Sequence, residues 1–391
     1  MPWKESNVMN ERIKFLSEYL RQERSLSGIC RAYGISRKTG YKWINRYLRD
    51  GPAGLFDYSR APHSHPEAVS DEIVASILRL RERFPNKGPR KLRAFLVAHQ
   101  PETLWPAIST IGRILARHGK IVPRVRKRRT PPYSRPFQGY TKPNSVWCAD
   151  FKGWFRTGDG KRCEPLTVTD GMSRYLLACR ILSRTTHGYV RPVFEALFRE
   201  YGLPWAIRTD NGVPFASRGL GGLSRLAVWW IKLGILPERI DPGCPQQNGR
   251  HERFHKTLKD DAITPPKATA VDQQQAFDYF RRDYNEERSH EALGDIPPAR
   301  VYTSAHRPYP SSLPEIVYPD HMTTLKVRPS GQLRWRGHEI YISETLIGEP
   351  VAFEQITDTS FQIYYGPIKL ATYDEKKKKL IKPRVTKRKR R

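Results

Sequence analysis

Apolar residues recur at helical intervals in the first third of the chain and at strand intervals in most of the rest. Ile13, Leu16 and Leu20 fall on one helical face. The stretch from Ser27 to Ile44 then reads as a helix-turn-helix. Small Cys30 permits close helix approach, Gly34 takes the turn, and Ser36 caps a second helix. That helix turns Arg37, Lys38, Lys42 and Arg46 outward, with Tyr41, Ile44 and Leu48 assigned to the core. Gly40 is its weak point, since glycine inside a helix costs about 1 kcal/mol. The basic residues collect on the second helix, which favours DNA binding over an ordinary helical hairpin.

A second helical unit follows. Ile73, Ile77, Leu80 and Phe84 make one stripe, Leu92, Phe95 and Leu96 another, and a third helix opens near Ile108 with Ser109 as cap. Its Arg113 and Arg117 suit either a phosphate contact or a solvated face. From Pro123 to Pro143 the chain is basic and proline-punctuated, with Arg126, Lys127, Arg128 and Arg129 in a run. Such a linker is extended and fits along a phosphate backbone.

The period then shortens to two. Ser145 to Arg156, Pro165 to Thr169 and Tyr175 to Leu182 read as three strands joined by Gly158-Asp159-Gly160 and Asp170-Gly171 turns. A helix over Thr186 to Tyr201 and a short buried strand over Trp205 to Arg208 complete an α/β pattern. After a proline-rich stretch, six short strands follow: Thr323 to Val327, Gln332 to Trp335, Glu339 to Ile342, Pro350 to Phe353, Phe361 to Tyr364 and Ile368 to Thr372. They suggest a small closed barrel of the SH3-like kind, with Lys326, Arg328, Arg334 and Arg336 making one face basic. From Lys376 to Arg391 there are eleven Lys or Arg and no acid, the composition of a tail that orders only against a polyanion.

The predicted architecture is multidomain α+β. A helix-turn-helix domain (1–60) and a second helical domain (61–122) precede the basic linker (123–143). An RNase H-like α/β core (144–303), a proline-rich linker (304–319), the small barrel (320–375) and the basic tail (376–391) follow. Composition narrows the partner. The formal net charge of +30 implies a polyanion, nucleic acid or an anionic membrane surface. No apolar run approaches the roughly 18 residues needed to span a bilayer, and the first residues lack a signal peptide's apolar core. An intracellular protein is expected. The five cysteines are scattered without C-x-x-C spacing, so neither a disulfide framework nor a zinc knuckle is supported.

Three carboxylates stand out in this basic chain. Asp150 lies in the first strand between Trp147 and Phe151, where burial without a cation would be costly. Asp210 opens a Thr-Asp-Asn-Gly turn after the fourth strand, and Glu252 falls on a helix beginning after Pro245. Singly, each has a plainer explanation: Asp210 is a turn residue, and Glu252 pairs with Lys256. Converging from two strand ends and a helix, they suit a pair of Mg²⁺ ions with Mn²⁺ as a substitute. Lys256 and Lys259 share the helical face of Glu252 and serve either as helix ion pairs or as grips on phosphate. Asp170, before Gly171, is a turn residue instead.

Asp150, Asp210 in Thr-Asp-Asn-Gly, and Glu252 after Pro245-Gln246-Gln247-Asn248-Gly249 resemble the DDE triad of the retroviral-integrase-like core, most closely that of bacterial insertion-sequence transposases. The segment Tyr284 to Leu293 is similar to their closing signature, with Ser289 where proline commonly stands. The gap from Asp210 to Glu252 is longer than is typical of the group, and extra loop residues around Arg218 to Leu223 account for it. The resemblance implies a transposase that binds transposon ends and performs metal-dependent cleavage and strand transfer on double-stranded DNA. It further implies a dimer or larger assembly and a cytoplasmic, nucleoid-associated location. Two other readings stay open: a DNA-binding regulator or domesticated transposase that no longer cuts, and an RNase H-like nuclease without strand transfer.

Overall fold

The computed structural model describes residues 7–59, 68–121, 141–217, 219–240 and 249–382. The chain forms two compact units, Met1–Val69 and Ser70–Arg391. In the first, α1 (Val8–Leu20), α2 (Leu26–Ala32) and α3 (Arg37–Asp50) enclose Phe15, Leu16, Ile29, Cys30, Trp43, Ile44 and Leu55. Ser36 caps α3 by accepting from the Thr39 N–H at 3.1 Å. Gly34 takes the turn at φ +63°.

Two expectations for α3 are corrected. Its buried face is Gly40, Trp43 and Ile44, while Tyr41 and Leu48 are 55% and 69% exposed. Gly40 is not a weak point but a site of close helix approach, where a Cβ would stand 2.6 Å from Cys30 Sγ and 3.2 Å from Phe15 Cζ. Lys42 and Arg46 rest over the Trp43 ring at 4.7 and 5.1 Å, and Arg46 also lies 3.9 Å over Tyr58. Arg37 and Lys38 are exposed.

The second unit opens with α4 (Asp71–Arg83), α5 (Pro89–His99) and α6 (Ile108–Arg117), around Ile77, Leu92, Leu96, Ile111 and Leu115. The cap position of α6 is Ala107, so Ser109 lies inside its first turn. The basic stretch with Arg126, Lys127, Arg128 and Arg129 lies outside the described residues.

A mixed sheet follows, built from β1 (Val146–Phe151), β2 (Phe155–Arg156), β3 (Arg162–Asp170), β4 (Leu176–Leu182), β5 (Ala206–Thr209) and β6 (Leu236–Arg239). The first expected strand is split into β1 and β2, and Gly153 between them sits at φ +87°. β3 is antiparallel to β1 and β4, while β1, β5 and β6 run parallel. Connecting helices cover both faces. On one, α7 (His187–Tyr201) and α8 (Arg225–Lys232) bury Phe194, Phe198, Leu226, Trp229 and Trp230 against Trp147, Ala149, Leu166 and Val168. On the other, α9 (Gly249–Leu258) and α10 (Ala270–Arg282) pack Phe254, Leu258, Phe277 and Phe280 against Leu176 and Cys179. Each helix ends in a π-helical turn, Lys259–Ile263 and Asp283–Glu287.

Those two turns receive the preceding helical unit. Asn86 donates to Asp260 O at 3.0 Å and Asp261 Oδ1 at 2.9 Å. Lys87 pairs with Asp283 at 2.8 Å in a buried contact, and Arg90 pairs with Glu291 and Asp295, each at 2.8 Å. Part of this unit's positive charge is therefore directed at the core rather than at solvent. Its Arg113 and Arg117 remain exposed.

The remaining strands are β7 (Thr323–Lys326), β8 (Gln332–Trp335), β9 (His338–Tyr341), β10 (Pro350–Thr357), β11 (Ser360–Tyr365), β12 (Ile368–Asp374) and β13 (Lys379–Ile381). They form two open sheets, β13-β12-β11-β10-β7 and the hairpin β8-β9, rather than the closed barrel expected. The hairpin joins the larger sheet by side-chain packing, Trp335 stacking on Phe353 at 4.2 Å, not by a backbone ladder. The basic face is partly neutralised, because Arg328 pairs with Glu339 at 3.6 Å and Arg336 with Glu375 at 3.2 Å. The tail orders earlier than its composition implies. Lys379–Ile381 pairs with β12, and Leu380 packs against the same core. Residues 383–391 lie outside the described residues.

The residues before α8 are not a free loop. Leu220 and Leu223, with Ala227, Val228 and Ile231 of α8, share a core with Val351, Ile363, Tyr365 and Leu370 of the C-terminal sheet. Lys232 pairs with Glu349 at 3.0 Å, and Thr345 Oγ1 donates to Leu223 O at 3.1 Å.

Candidate active site at the carboxyl ends of β1 and β5

The ladder between β1 and β5 sets Val146 opposite Ala206, Trp147 opposite Ile207 and Cys148 opposite Arg208. That is an offset of 60 residues, which is also the separation of Asp150 and Asp210. The ladder ends at Cys148 and Arg208, and the same offset extended past the end of β5 relates Asp150 to Asp210. The Asp210 turn is held locally. Asp210 Oδ1 accepts from the Gly212 N–H at 3.1 Å, and Asn211 donates to Ile240 O at 2.9 Å beyond β6. A Cβ on Gly212 would stand 2.9 Å from Asp210 Oδ2, so any larger residue there would displace the carboxylate.

Alternation decides which face Asp150 occupies. Trp147, Ala149 and Phe151 turn toward α7 and α8, so Asp150 turns the other way, toward α9. Thr167 is its direct cross-strand partner on β3. α9 seats on this face through His251, Phe254, His255 and Leu258, a buried stripe at positions i, i+3, i+4 and i+7. Asp150, His251 and His255 each bring a ligand atom within 4.8 Å of the others.

At the centre of this contact lies Thr167, fully buried. Its Oγ1 donates to Asp150 O at 3.0 Å and stands 2.9 Å from Nε2 of both His251 and His255. Burial pushes the His251 pKa down to about 4. His255 is also lowered, first by burial, then by His251 and Lys152. Both imidazoles are therefore neutral near pH 7.

Glu252 lies on the exposed side of α9. Lys256 is exposed and pairs with Asp260 at 2.6 Å, not with Glu252. Lys259, at the start of the π-helical turn, is also exposed. The Pro245 to Asn248 approach to α9 lies outside the described residues. Asp170 is a turn residue: its carboxylate accepts from the Asn144 N–H at 2.7 Å and from the Ser173 N–H and Oγ at 2.7 and 2.6 Å. Burial nevertheless raises its pKa. In the closing segment, Asn285 clamps β4 by accepting from Leu176 N at 2.8 Å and donating to Leu176 O at 3.0 Å. Sequence reasoning passed over Thr167, His251 and His255. The available signals were the i, i+4 histidine pair in Arg250-His251-Glu252-Arg253-Phe254-His255 and the strand phase of Thr167.

Comparison with known families places this mixed sheet and its helices in a known class, the integrase core. Residues 140–245 and 233–298 match models described as integrase core domain, residues 11–63 a helix-turn-helix domain, and residues 39–115 a homeodomain-like domain. The chain carries an integrase core behind helix-turn-helix domains, and its relatives include insertion-element proteins, a transposase among them. It is 28% identical over 295 residues to a 39.2 kDa protein of insertion element IS476 from Xanthomonas euvesicatoria, covering 71% of this chain and 80% of that protein. It is 26% identical over 291 residues to the transposase InsD of insertion element IS2 from Escherichia coli, covering 66% of this chain and 90% of the relative. Among solved structures it is similar to the HTLV-2 integrase catalytic core, with 15% identity and a TM-score of 0.34 over 42% of this chain and 99% of that one. No helix among the described residues is long and apolar enough to cross a membrane.

Proposed function

We propose that the protein is a DDE transposase whose Asp150, Asp210 and Glu252 together hold two Mg²⁺ ions, with Mn²⁺ able to substitute. The observation that carries this reading is the offset of 60 residues that the β1–β5 ladder shares with the two aspartates, with α9 closing on the face toward which Asp150 turns. The donor set fits a hard cation. Nε2 of His251 and of His255 is engaged by Thr167, and the carboxylates of Asp150, Asp210 and Glu252 are the hard oxygen donors that Mg²⁺ prefers. When bound, such ions activate the attacking oxygen and stabilise the leaving one in an in-line displacement. The chain's own part is placement. β1 and β5 hold the two aspartates, α9 presents Glu252, and Lys256 and Lys259 along the same helix meet phosphates, Lys256 exchanging Asp260 for the DNA backbone.

In the same reading, Arg37, Lys38, Lys42 and Arg46 of α3 contact transposon-end DNA, and Arg126, Lys127, Arg128 and Arg129 track its backbone. Cleavage exposes a 3′-hydroxyl, which then attacks target DNA. Two ends must be joined, so the working form is a dimer or larger assembly. Asp210→Asn tests the assignment. It is expected to abolish strand transfer of a pre-cut end in Mg²⁺ while leaving end binding within a few-fold. Joining retained at the wild-type rate removes Asp210 from the site.

A further inference from the structure

One buried hydroxyl joins the strand that carries Asp150 to the helix that carries Glu252. Thr167 Oγ1 lies 3.0 Å from Asp150 O and 2.9 Å from Nε2 of both His251 and His255. A hydroxyl has one proton and two lone pairs. The Asp150 carbonyl can only accept, so the threonine proton goes to it, and both imidazoles must donate from Nε2–H to the two lone pairs. All three contacts are then satisfied with neither imidazole charged.

We infer that Thr167 is a positioning residue: by receiving an N–H from each of two successive turns of α9 while bonding the Asp150 carbonyl, it sets the height and rotation of that helix against β1. Glu252 stands next to His251 in the chain and takes its place from this seat. The inference rests on the triad proposed above. Hydrophobic packing by Phe254 and Leu258 fixes that α9 lies on the sheet, but apolar contacts tolerate sliding. Three directional bonds to one oxygen do not. Chemistry at a metal pair is sensitive to such placement, since a shift of about 1 Å can cost about 100-fold.

The first test needs no variant and no metal. In the full chain labelled with ¹⁵N-histidine, long-range ¹H–¹⁵N correlation at neutral pH should show His251 and His255 protonated at Nε2 alone, with assignment by His251→Gln and His255→Gln. A ring with no proton on Nε2 overturns the inference. The second test compares Thr167→Val, which keeps the shape, with Thr167→Ser, which keeps the hydroxyl. Thr167→Val should lower strand transfer about tenfold or more, raise the Mg²⁺ concentration for half-maximal rate several-fold, and leave end binding unchanged. Thr167→Ser should restore both the rate and the Mg²⁺ dependence to near wild type. A Thr167→Val protein with wild-type Mg²⁺ dependence overturns the inference. Should Thr167→Val fail to fold, the tautomers in the unaltered chain decide. Asp150→Asn run alongside separates the two readings: if it still joins DNA, the triad fails; if it is inactive while Thr167→Val is unaffected, the positioning role alone fails.

Discussion

The buried pair of Lys87 and Asp283 offers the sharpest test of how the second helical unit is attached to the core. Lys87 Nζ lies 2.8 Å from Asp283 Oδ1, with side-chain exposures of 4% and 13%. The ammonium also sits 3.6 Å over the Phe84 ring. Burial lowers the Lys87 pKa, and Asp283 opposes that shift. Removing either partner leaves a charge in a dry place, which costs about 3–5 kcal/mol. The two halves should differ. Asp283→Asn strands the more buried ion and belongs at the upper end. It also removes a negative charge where α10 ends, which recovers about 0.3–1 kcal/mol of unfavourable helix-dipole interaction. Lys87→Met leaves a carboxylate with more access to water and belongs at the lower end. Lys87→Met with Asp283→Leu removes both charges and should return close to wild type. Urea unfolding of all four proteins at neutral pH compares these costs, and limited proteolysis reports whether α4 to α6 detach first. A cost below about 1 kcal/mol for Asp283→Asn, or a greater cost for Lys87→Met, would refute the claim that this contact is a desolvated clamp.

Two further outcomes are expected. Gly40→Ala should destabilise the helix-turn-helix unit by about 1–3 kcal/mol, despite a helix-propensity gain of about 1 kcal/mol, because the new methyl would collide with Cys30 Sγ; thermal melting of residues 1–69 within the full chain checks it, and a higher melting point contradicts it. His251 should make the core acid-labile: its folded pKa of about 4 lies below the ordinary 6.5, so stability is full above that ordinary value and is lost as pH falls toward 4. By about pH 5 the loss from this group is about 2 kcal/mol, and urea midpoints that do not move between neutral pH and that value count against it.

The two aspartates stood out in the sequence, but the β1–β5 pairing did not: 60 residues separate Asp150 from Asp210 and also each paired residue of β1 from its partner on β5, a coincidence that only the ladder reveals. α8 was not legible. Leu226 to Ile231 is buried on every side between two cores, so it has no polar face to mark a period. The face of α3 was misphased because Gly40, a tightly packed position, has no side chain to register as apolar, while Tyr41 and Leu48 do. The buried stripe of α9 escaped for a related reason. Half of it is histidine, polar by composition but neutral and hydrogen-bonded in place. Closure of the C-terminal strands depends on how side chains interlock, which strand patterning does not encode.

The double coverage of α8 means that the active-site sheet and the C-terminal sheet behave as one mechanical part. Trp229 and Trp230 face one core while Val228 and Ile231 face the other, and Leu220 and Leu223 reach across from the segment before it. A chain ending before β7 would lay open that second face, so a truncated core would differ from the whole in solubility before it differed in chemistry. α8 is tied to the C-terminal sheet by Lys232 and Glu349 and leads into β6, and just beyond that strand Ile240 O accepts from Asn211 of the Asp210 turn. Leu220 and Leu223, in the longer interval between Asp210 and Glu252, thus make the Asp210 side of the core and the C-terminal sheet share one interior.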